Sequence, residues 1–260
     1  MKPAKGGKES TRFAHCGGVI CRLPNGTVLL AGGDDGGDHD SGAELFDPKS
    51  GTFALLDPSP FPRGASVVAL ASGRVLLFGG RYQGGKAKGV SAQVLAYDPS
   101  ARSFSHAGTL RTARSDQAAV LLPDGKVLVV GGFIRGKDAD SMDTTADCEV
   151  FDPRTGTSEA VAAISEPRAL LAAAVMPIGQ VMILGGLTGS RDSSLMATTI
   201  ETFDPWRRTW SIYDRPSYGV FRPALFPMPD GSMFVGGSHV AFDPAKRAED
   251  GVLPLKLICE

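Results

Sequence analysis

Arginines recur at matched points of this chain. Arg63, Arg114 and Arg168 each precede an apolar segment, and Arg12 and Arg222 fall near the same point of two others. Arg81, Arg135 and Arg191 instead follow apolar segments. A guanidinium donates two parallel hydrogen bonds to a carboxylate or phosphate, so several converging on one place would capture an anion. The same groups can instead bond backbone carbonyls and staple neighbouring elements, and both readings stand open for Arg63, Arg114 and Arg168. Acidic residues accompany them: Asp116 follows Arg114, and Glu166 lies beside Arg168. The predicted binding set is therefore Arg63, Arg81, Arg114, Asp116, Arg135, Glu166, Arg168, Arg191 and Arg222.

Other chemistry is weakly signalled. Asp34, Asp35, Asp38 and Asp40 crowd one segment, and Asp138, Asp140, Asp143 and Asp147 another. Such clusters can hold Ca2+ through oxygen, but neither fits the EF-hand register or the glycine-rich calcium repeat, so solvated loops are expected. Cys16, Cys21, Cys148 and Cys259 contain no CxxC pair and signal neither zinc nor a disulfide framework. If Cys16–Cys21 forms a regular strand, its two thiols point to opposite faces. GGDDGGD is glycine-rich, but no helix pattern follows it, and no nucleophile motif or dinucleotide fingerprint occurs. No catalytic residue, metal or cofactor is predicted.

Composition removes further classes. The formal net charge is −1, which gives no electrostatic case for nucleic acid or an anionic membrane surface. The stretch MKPAKGGKESTRFAHC carries lysines without an apolar core, so a secretory signal is not expected. The apolar runs are cut by Pro or Gly well short of a membrane span. The expectation is a cytoplasmic protein with reduced thiols, a mature secreted fragment being the alternative.

What must position the arginines is a repeat. Gly-Gly occurs at Gly32–Gly33, Gly79–Gly80, Gly131–Gly132, Gly185–Gly186 and Gly236–Gly237, each closing an apolar run such as TVLLAGG or KVLVVGG. An aromatic followed by Asp-Pro comes next in every copy: ELFDP, LAYDP, EVFDP, ETFDP, VAFDP. Turns such as LPNG and LPDG precede the runs. Five copies sharing these landmarks define the organisation. Each copy reads as four short strands. Strand A is small and apolar, B ends in Gly-Gly, C ends in aromatic-Asp-Pro, and D follows the next turn. Such a unit cannot bury both faces alone, whereas stacking units around an axis does so, giving a β-propeller. Phe46, Tyr97, Phe151, Phe203 and Phe242 are expected to wedge between blades, with Trp210 on a D strand in the same role.

These landmarks resemble the kelch repeat, whose period of about 50 residues matches. The resemblance runs from about Arg12 to Glu260, and the turn-bearing form LPDGKVLVVGG is similar to the branch containing the galactose oxidase propeller and bacterial kelch proteins. It implies an all-β, kelch-type β-propeller of about five four-stranded antiparallel blades. The expected limits are a flexible tail over 1–11 and one domain over 12–260, with repeats at about 12–57, 63–108, 114–162, 168–213 and 220–260. The chain departs from the kelch pattern in carrying a strand-D Trp only at Trp210 and almost no B–C loop in copy five. GVLPLKLIC would then be the fourth strand of the last blade. Kelch-type oxidases resemble one another in two tyrosines and two histidines around copper; His15, His39, His106, His239, Tyr82, Tyr97, Tyr213 and Tyr218 show no Tyr-His neighbours.

In a meander the A–B and C–D turns lie on one side, and the B–C loops and D–A links on the other. The second set is long and different in each copy, as in FIRGKDADSMDTTAD and LTGSRDSSLMA. Variable loops on a rigid scaffold are where function usually resides. The leading expectation is a binding module for a protein or acidic peptide that uses this side. An arginine-lined enzyme for an anionic small molecule, similar to kelch sialate epimerases, is the alternative; a structural part of a larger propeller is the third reading.

Overall fold

The computed structural model describes residues 10–34, 41–57, 61–83, 89–138, 141–190, 193–216, 218–228, 230, 232–241 and 255–257. Two compact units form, Met1–Ser115 with Pro153–Thr157, and Asp116–Asp152 with Ser158–Glu260. Among the described residues there is no helix, and none therefore long and apolar enough to cross a membrane.

In the first unit β1 (Val19–Arg22), β2 (Val28–Ala31), β3 (Ala43–Asp47) and β4 (Thr52–Asp57) form an antiparallel sheet in chain order. A second sheet holds β5 (Ser66–Ala69), β6 (Val75–Phe78), β9 (Gln93–Asp98) and β10 (Ser103–Thr109). Between β6 and β9 the small hairpin β7 (Arg81–Tyr82) and β8 (Gly89–Val90) stands apart. Copies three and four repeat the four-stranded plan. The third sheet joins β11 (Ala118–Leu121), β12 (Val127–Val130), β15 (Cys148–Asp152) and β16 (Thr157–Val161). The fourth joins β17 (Ala172–Val175), β18 (Val181–Leu184), β21 (Ile200–Asp204) and β22 (Thr209–Asp214). Strands A to D of each copy are these four, in order.

Local chemistry shapes each meander. The first A–B turn closes with Gly26 N–H donating to Leu23 O at 2.9 Å, and the third repeats it with Gly125 and Leu122. The Asp of Asp-Pro does more than end strand C. Its carboxylate accepts the N–H two residues on, Asp47 from Lys49 at 2.8 Å, Asp98 from Ser100 at 2.8 Å and Asp204 from Trp206 at 2.9 Å. This Asx turn reverses the chain past a proline that has no N–H to offer. Four residues after each Asp the backbone is left-handed, at Gly51, Arg102, Gly156 and Arg208.

Strand β18 is apolar on both faces because a sheet packs on each, the third against Val181 and Ile183 and the fifth against Met182 and Leu184. One cluster joins Val19, Leu29, Ala31 and Leu45 of the first sheet to Val75, Leu77 and Tyr97 of the second. Another joins Leu128, Val130, Cys148 and Val150 to Leu171, Val181, Ile183 and Phe203. Tyr97, Phe151 and Phe203 are fully buried, and Phe46 is half-buried. Aromatic partners face three of them across strands C and D: Phe46–Phe53, Tyr97–Phe104 and Phe203–Trp210, with ring centroids 4.7, 5.1 and 5.0 Å apart. Phe242 lies outside the described residues.

Gly131–Gly132 shows why the pair recurs. Both have left-handed φ, 61° and 107°, and a Cβ on Gly131 would strike the carbonyl of Arg168 in the link to the next sheet. The Gly132 N–H donates to that same carbonyl at 2.8 Å. Gly80 reaches Arg114 O at 2.8 Å and Gly186 reaches Val220 O at 2.9 Å in the same manner. The glycine pair is thus a hinge and an inter-sheet hydrogen bond together.

Copy five departs from expectation. β23 (Tyr218–Pro227) and β24 (Met233–Ala241) form one long hairpin, and β24 runs straight through Gly236–Gly237. Among the described residues no following link offers the carbonyl that bends the pair elsewhere. β25 (Leu255–Leu257) pairs directly with β24, so it takes the third position of this sheet and not the fourth. Cys16 also differs from expectation, since it lies before β1, separated from it by left-handed Gly17, and strand alternation does not relate it to Cys21. Cys16, Cys21 and Cys148 are free thiols.

Candidate functional site

The B–C segments of copies three and four are built, not irregular. β13 (Phe133–Arg135) pairs with β14 (Met142–Thr144), and β19 (Leu187–Ser190) pairs with β20 (Ser193–Met196). The two hairpins join through β14 and β19 into a four-stranded sheet, with Asp143 opposite Ser190 and the Gly189 N–H on Thr144 Oγ1 at 3.0 Å. Arg135 and Lys137 are exposed on the first hairpin, and Leu195 is 63% exposed on the second. Alternating patterns in these loops were too short to announce strands.

Arg168 has partners on every side-chain nitrogen. It is fully buried. Its backbone belongs to the third sheet, N–H to Thr145 O at 3.2 Å and carbonyl to Gly132. Its side chain belongs to the fourth, with Nη1 on Thr199 O and Nη2 on Glu201 Oε1, both at 2.8 Å, and Nη2 also on Thr199 Oγ1. Glu201 is 1% exposed and takes the Ser165 N–H at 2.8 Å on its other oxygen. Burial pushes the guanidinium below its ordinary pKa, and the carboxylates of Glu201 and then Glu166 push back. Glu166 is half-buried and lies 3.6 Å from Nη2. Glu201 is the second residue of strand C, and the same position across from strand B holds Glu44, Leu95 and Glu149, as the B–C register aligns them. Glu44 and Glu149 are likewise buried. The glutamates were legible in ELFDP, EVFDP and ETFDP but went unused in the sequence reading.

The cation position varies with the acid. Backbone pairing aligns Cys16, Arg63 and Ala169, opposite Asp34, Arg81 and Leu187. Arg63 is therefore one residue later than Arg168, and Pro62 holds the place of Arg168, in the copy where Leu95 replaces glutamate. Arg114 is fully buried, and its Nε donates to Thr112 O at 3.3 Å, as Arg168 Nε does to Glu166 O at 3.3 Å. In copy one the place belongs to His15, whose Nε2 lies 3.2 Å from Glu44 Oε2.

The rest of the predicted set is spread over both units. Arg63 pairs through Nη1 with Asp34, which is 1% exposed, while the Arg63 side chain keeps 24% of its surface. Gln83 Nε2 approaches the same Asp34 oxygen at 3.5 Å, and half-buried Arg81 exchanges backbone hydrogen bonds with Arg63 at 2.8 and 3.0 Å. These four residues form one cluster in the first unit. Asp116 is half-buried with φ 54°, and its carbonyl accepts the Leu170 N–H at 2.8 Å. Arg222 is exposed, has φ 45° and lies 5.7 Å from the Phe221 ring centre. Gly17, Gly64, Asp116 and Leu170 turn left-handed two residues before strand A, and Arg222 takes the same conformation at an irregularity inside β23. Arg191, with Asp35, Asp38, Asp40 and Asp140, lies outside the described residues. Among the described residues no group of three or more His, Cys, Asp or Glu is placed to hold a metal ion.

Stacked four-stranded meanders are the plan of a β-propeller, and known proteins similar to this chain include kelch-repeat proteins. A mouse protein, Kelch-like protein 35, is 27% identical over 152 residues, 58% of this chain and 23% of its own. A putative F-box/kelch-repeat protein of Arabidopsis thaliana is 33% identical over 101 residues, 39% of this chain and 25% of its own. The chain thus spans about a quarter of the length of these curated relatives. Among solved structures, a fungal alcohol oxidase of the AA5 family in complex with copper superposes with a TM-score of 0.67 at 21% identity, covering 90% of this chain and 50% of that one. YjhT superposes with a TM-score of 0.68 at 18% identity, covering 85% of this chain and 77% of that one. No family model matches the chain.

Proposed function

We propose that the chain is a binding module that engages a protein or peptide partner through its B–C loops and D–A links. The observation that carries this reading is the four-stranded sheet made by β13, β14, β19 and β20. It turns two loops of unrelated sequence into one ordered surface, with Arg135, Lys137 and Leu195 exposed on it. Two cations at one edge of this sheet and an apolar side chain on the other edge strand suit an acidic peptide segment laid across it. Arg114 and Arg168 act in this reading as staples, since their side chains are buried. The test is cross-linking mass spectrometry in an extract of the source cells. Arg135→Glu with Lys137→Glu should lose the partners that the unaltered chain enriches, while Trp206→Ala, on the C–D turn side, should keep them. Retention by the double variant, or loss only with Trp206→Ala, refutes the assignment.

A second reading is an enzyme or receptor for a small anionic molecule. The partly exposed Arg63 beside Asp34, Gln83 and Arg81 favours it, because a guanidinium held in place by a buried carboxylate is oriented before ligand arrives. Loss of a carboxylate ligand on Arg63→Ala, with the cross-linked partners retained, would select this reading. Service as one part of a larger propeller is compatible with either.

A further inference from the structure

We propose that Asn25 is a site of spontaneous conversion to aspartate, controlled by opening of the first A–B turn. Asn25 is the only asparagine in the chain, and Gly26 follows it. An asparagine side chain is attacked by the backbone nitrogen of the next residue, and glycine, lacking a side chain, obstructs that attack least. The turn places both reactants. Asn25 is exposed, so water and base reach it. Its Oδ1 accepts the Thr27 N–H at 3.0 Å and the Thr27 hydroxyl at 2.7 Å. Two donors on that oxygen draw electrons from Cγ and stabilise the oxyanion that forms there. The Gly26 N–H is held the other way, donating to Leu23 O at 2.9 Å. Thr27 therefore prepares the electrophile while Leu23 restrains the nucleophile.

The step balances with water alone. The Gly26 nitrogen loses its proton to solvent base and bonds to Asn25 Cγ. The Cγ–Nδ2 bond then breaks, and ammonia leaves with a proton from solvent. A cyclic imide remains. Water adding at Cγ reopens it to aspartate, whereas water adding at the main-chain carbonyl routes the backbone through Cγ as isoaspartate. The repeat shows that the first product fits. The equivalent position holds Ser72, Asp124, Ile178 and Asp230 in the other copies. Asp124 Oδ1 takes the Lys126 N–H at 3.0 Å, and Asp230 Oδ1 takes the Ser232 N–H at 3.0 Å and its hydroxyl at 2.5 Å. The backbone closure is common too: Leu23 N–H to Thr27 O, Leu122 to Lys126 and Met228 to Ser232, each at 2.8 Å. Aspartate at this position thus reproduces a turn that the chain already builds in copies three and five. Isoaspartate instead lengthens the backbone inside the Leu23–Thr27 closure.

The test incubates the full chain in mildly alkaline buffer, with and without unfolding concentrations of urea. Mass spectrometry follows the peptide holding Asn25, with its aspartate and isoaspartate forms separated. The mass gain of amide-to-acid conversion should accumulate in that peptide. Conversion should run at least about tenfold faster in urea, because the Gly26–Leu23 hydrogen bond is then gone. In the folded chain, amide exchange at Gly26 should be slowed by a similar factor, since one opening exposes both reactions. Gly26→Ala should slow conversion in urea, where the strain of a side chain at φ 88° no longer counts. Asn25→Asp should melt within about 2 °C of the unaltered chain. No conversion in either buffer overturns the proposal. A folded-state rate equal to that in urea also overturns it, as does an Asn25→Asp chain that melts several degrees lower.

Discussion

Replacing Arg168 by Met removes the staple while keeping an unbranched, buried side chain. Glu201 then retains the Ser165 N–H at 2.8 Å and the Thr199 hydroxyl at 3.2 Å, but no cation, in a site 1% exposed. The Thr199 carbonyl also loses a donor at 2.8 Å. Breaking one side of a buried ion pair costs about 3–5 kcal/mol, because a desolvated charge is left unmatched. For a protein of this size each kcal/mol shifts Tm by about 2–4 °C, so a fall on the order of 10 °C is expected. Trp206 and Trp210 are the only tryptophans and both lie in the second unit, so their fluorescence in a urea titration reports the affected part. The informative partner is Arg168→Met with Glu201→Leu, which approximates the Pro62 and Leu95 of copy two. The double variant should be more stable than the single one, since removing both charges removes the desolvation debt. A single variant that costs less than about 1 kcal/mol, or a double variant whose cost is the sum of its parts, refutes the staple.

Two further outcomes follow from the turns. Arg102 is left-handed at φ 51°, where copies one and three place Gly51 and Gly156, so Arg102→Gly should stabilise by roughly 0.5–1 kcal/mol in thermal unfolding. Asp98 is held below the ordinary aspartate pKa, chiefly by the Ser100 hydroxyl and then by the Ser100 and Ala101 N–H groups. A depressed folded value stabilises above the unfolded value of about 3.9 and loses that stabilisation as pH falls through the folded one. Asp98→Ala should therefore lower stability at neutral pH, and the two urea curves should converge in acid.

Much of the scaffold was legible because repetition amplifies weak local signals. One LPDGKVLVVGG would suggest a turn and a strand; five in register with aromatic-Asp-Pro fix a four-stranded unit and its face-to-face stacking. The stacking hydrogen bond of Gly-Gly was only half visible, since the acceptor is a backbone carbonyl that any residue supplies. Copy five was misread where the same letters lack that acceptor and the strand continues through Gly236–Gly237. At the site, arginine was noticed and its counter-charge was not. Glu44, Glu149 and Glu201 sit inside apolar strands, where a lone acid looks like an outward-facing residue until the neighbouring sheet covers it. Arg63 was placed level with Arg168 because a shift of one residue in a link is invisible without backbone pairing. The hairpins β13–β14 and β19–β20 escaped notice because they become one sheet only where β14 meets β19 of the next copy, a contact no local pattern encodes.

The Gly-Gly hinge has an evolutionary consequence. It binds the next sheet through main-chain atoms alone, and the accepting residue is Arg114, Arg168 or Val220 with no change in the bond. That bond is indifferent to the side chain on the link, whether it is the buried Arg168 or Val220. A copy can be duplicated and its loop lengthened while this hydrogen bond beside it stays the same. Diversity of the exposed loops and constancy of the stack are inherited through separate atoms.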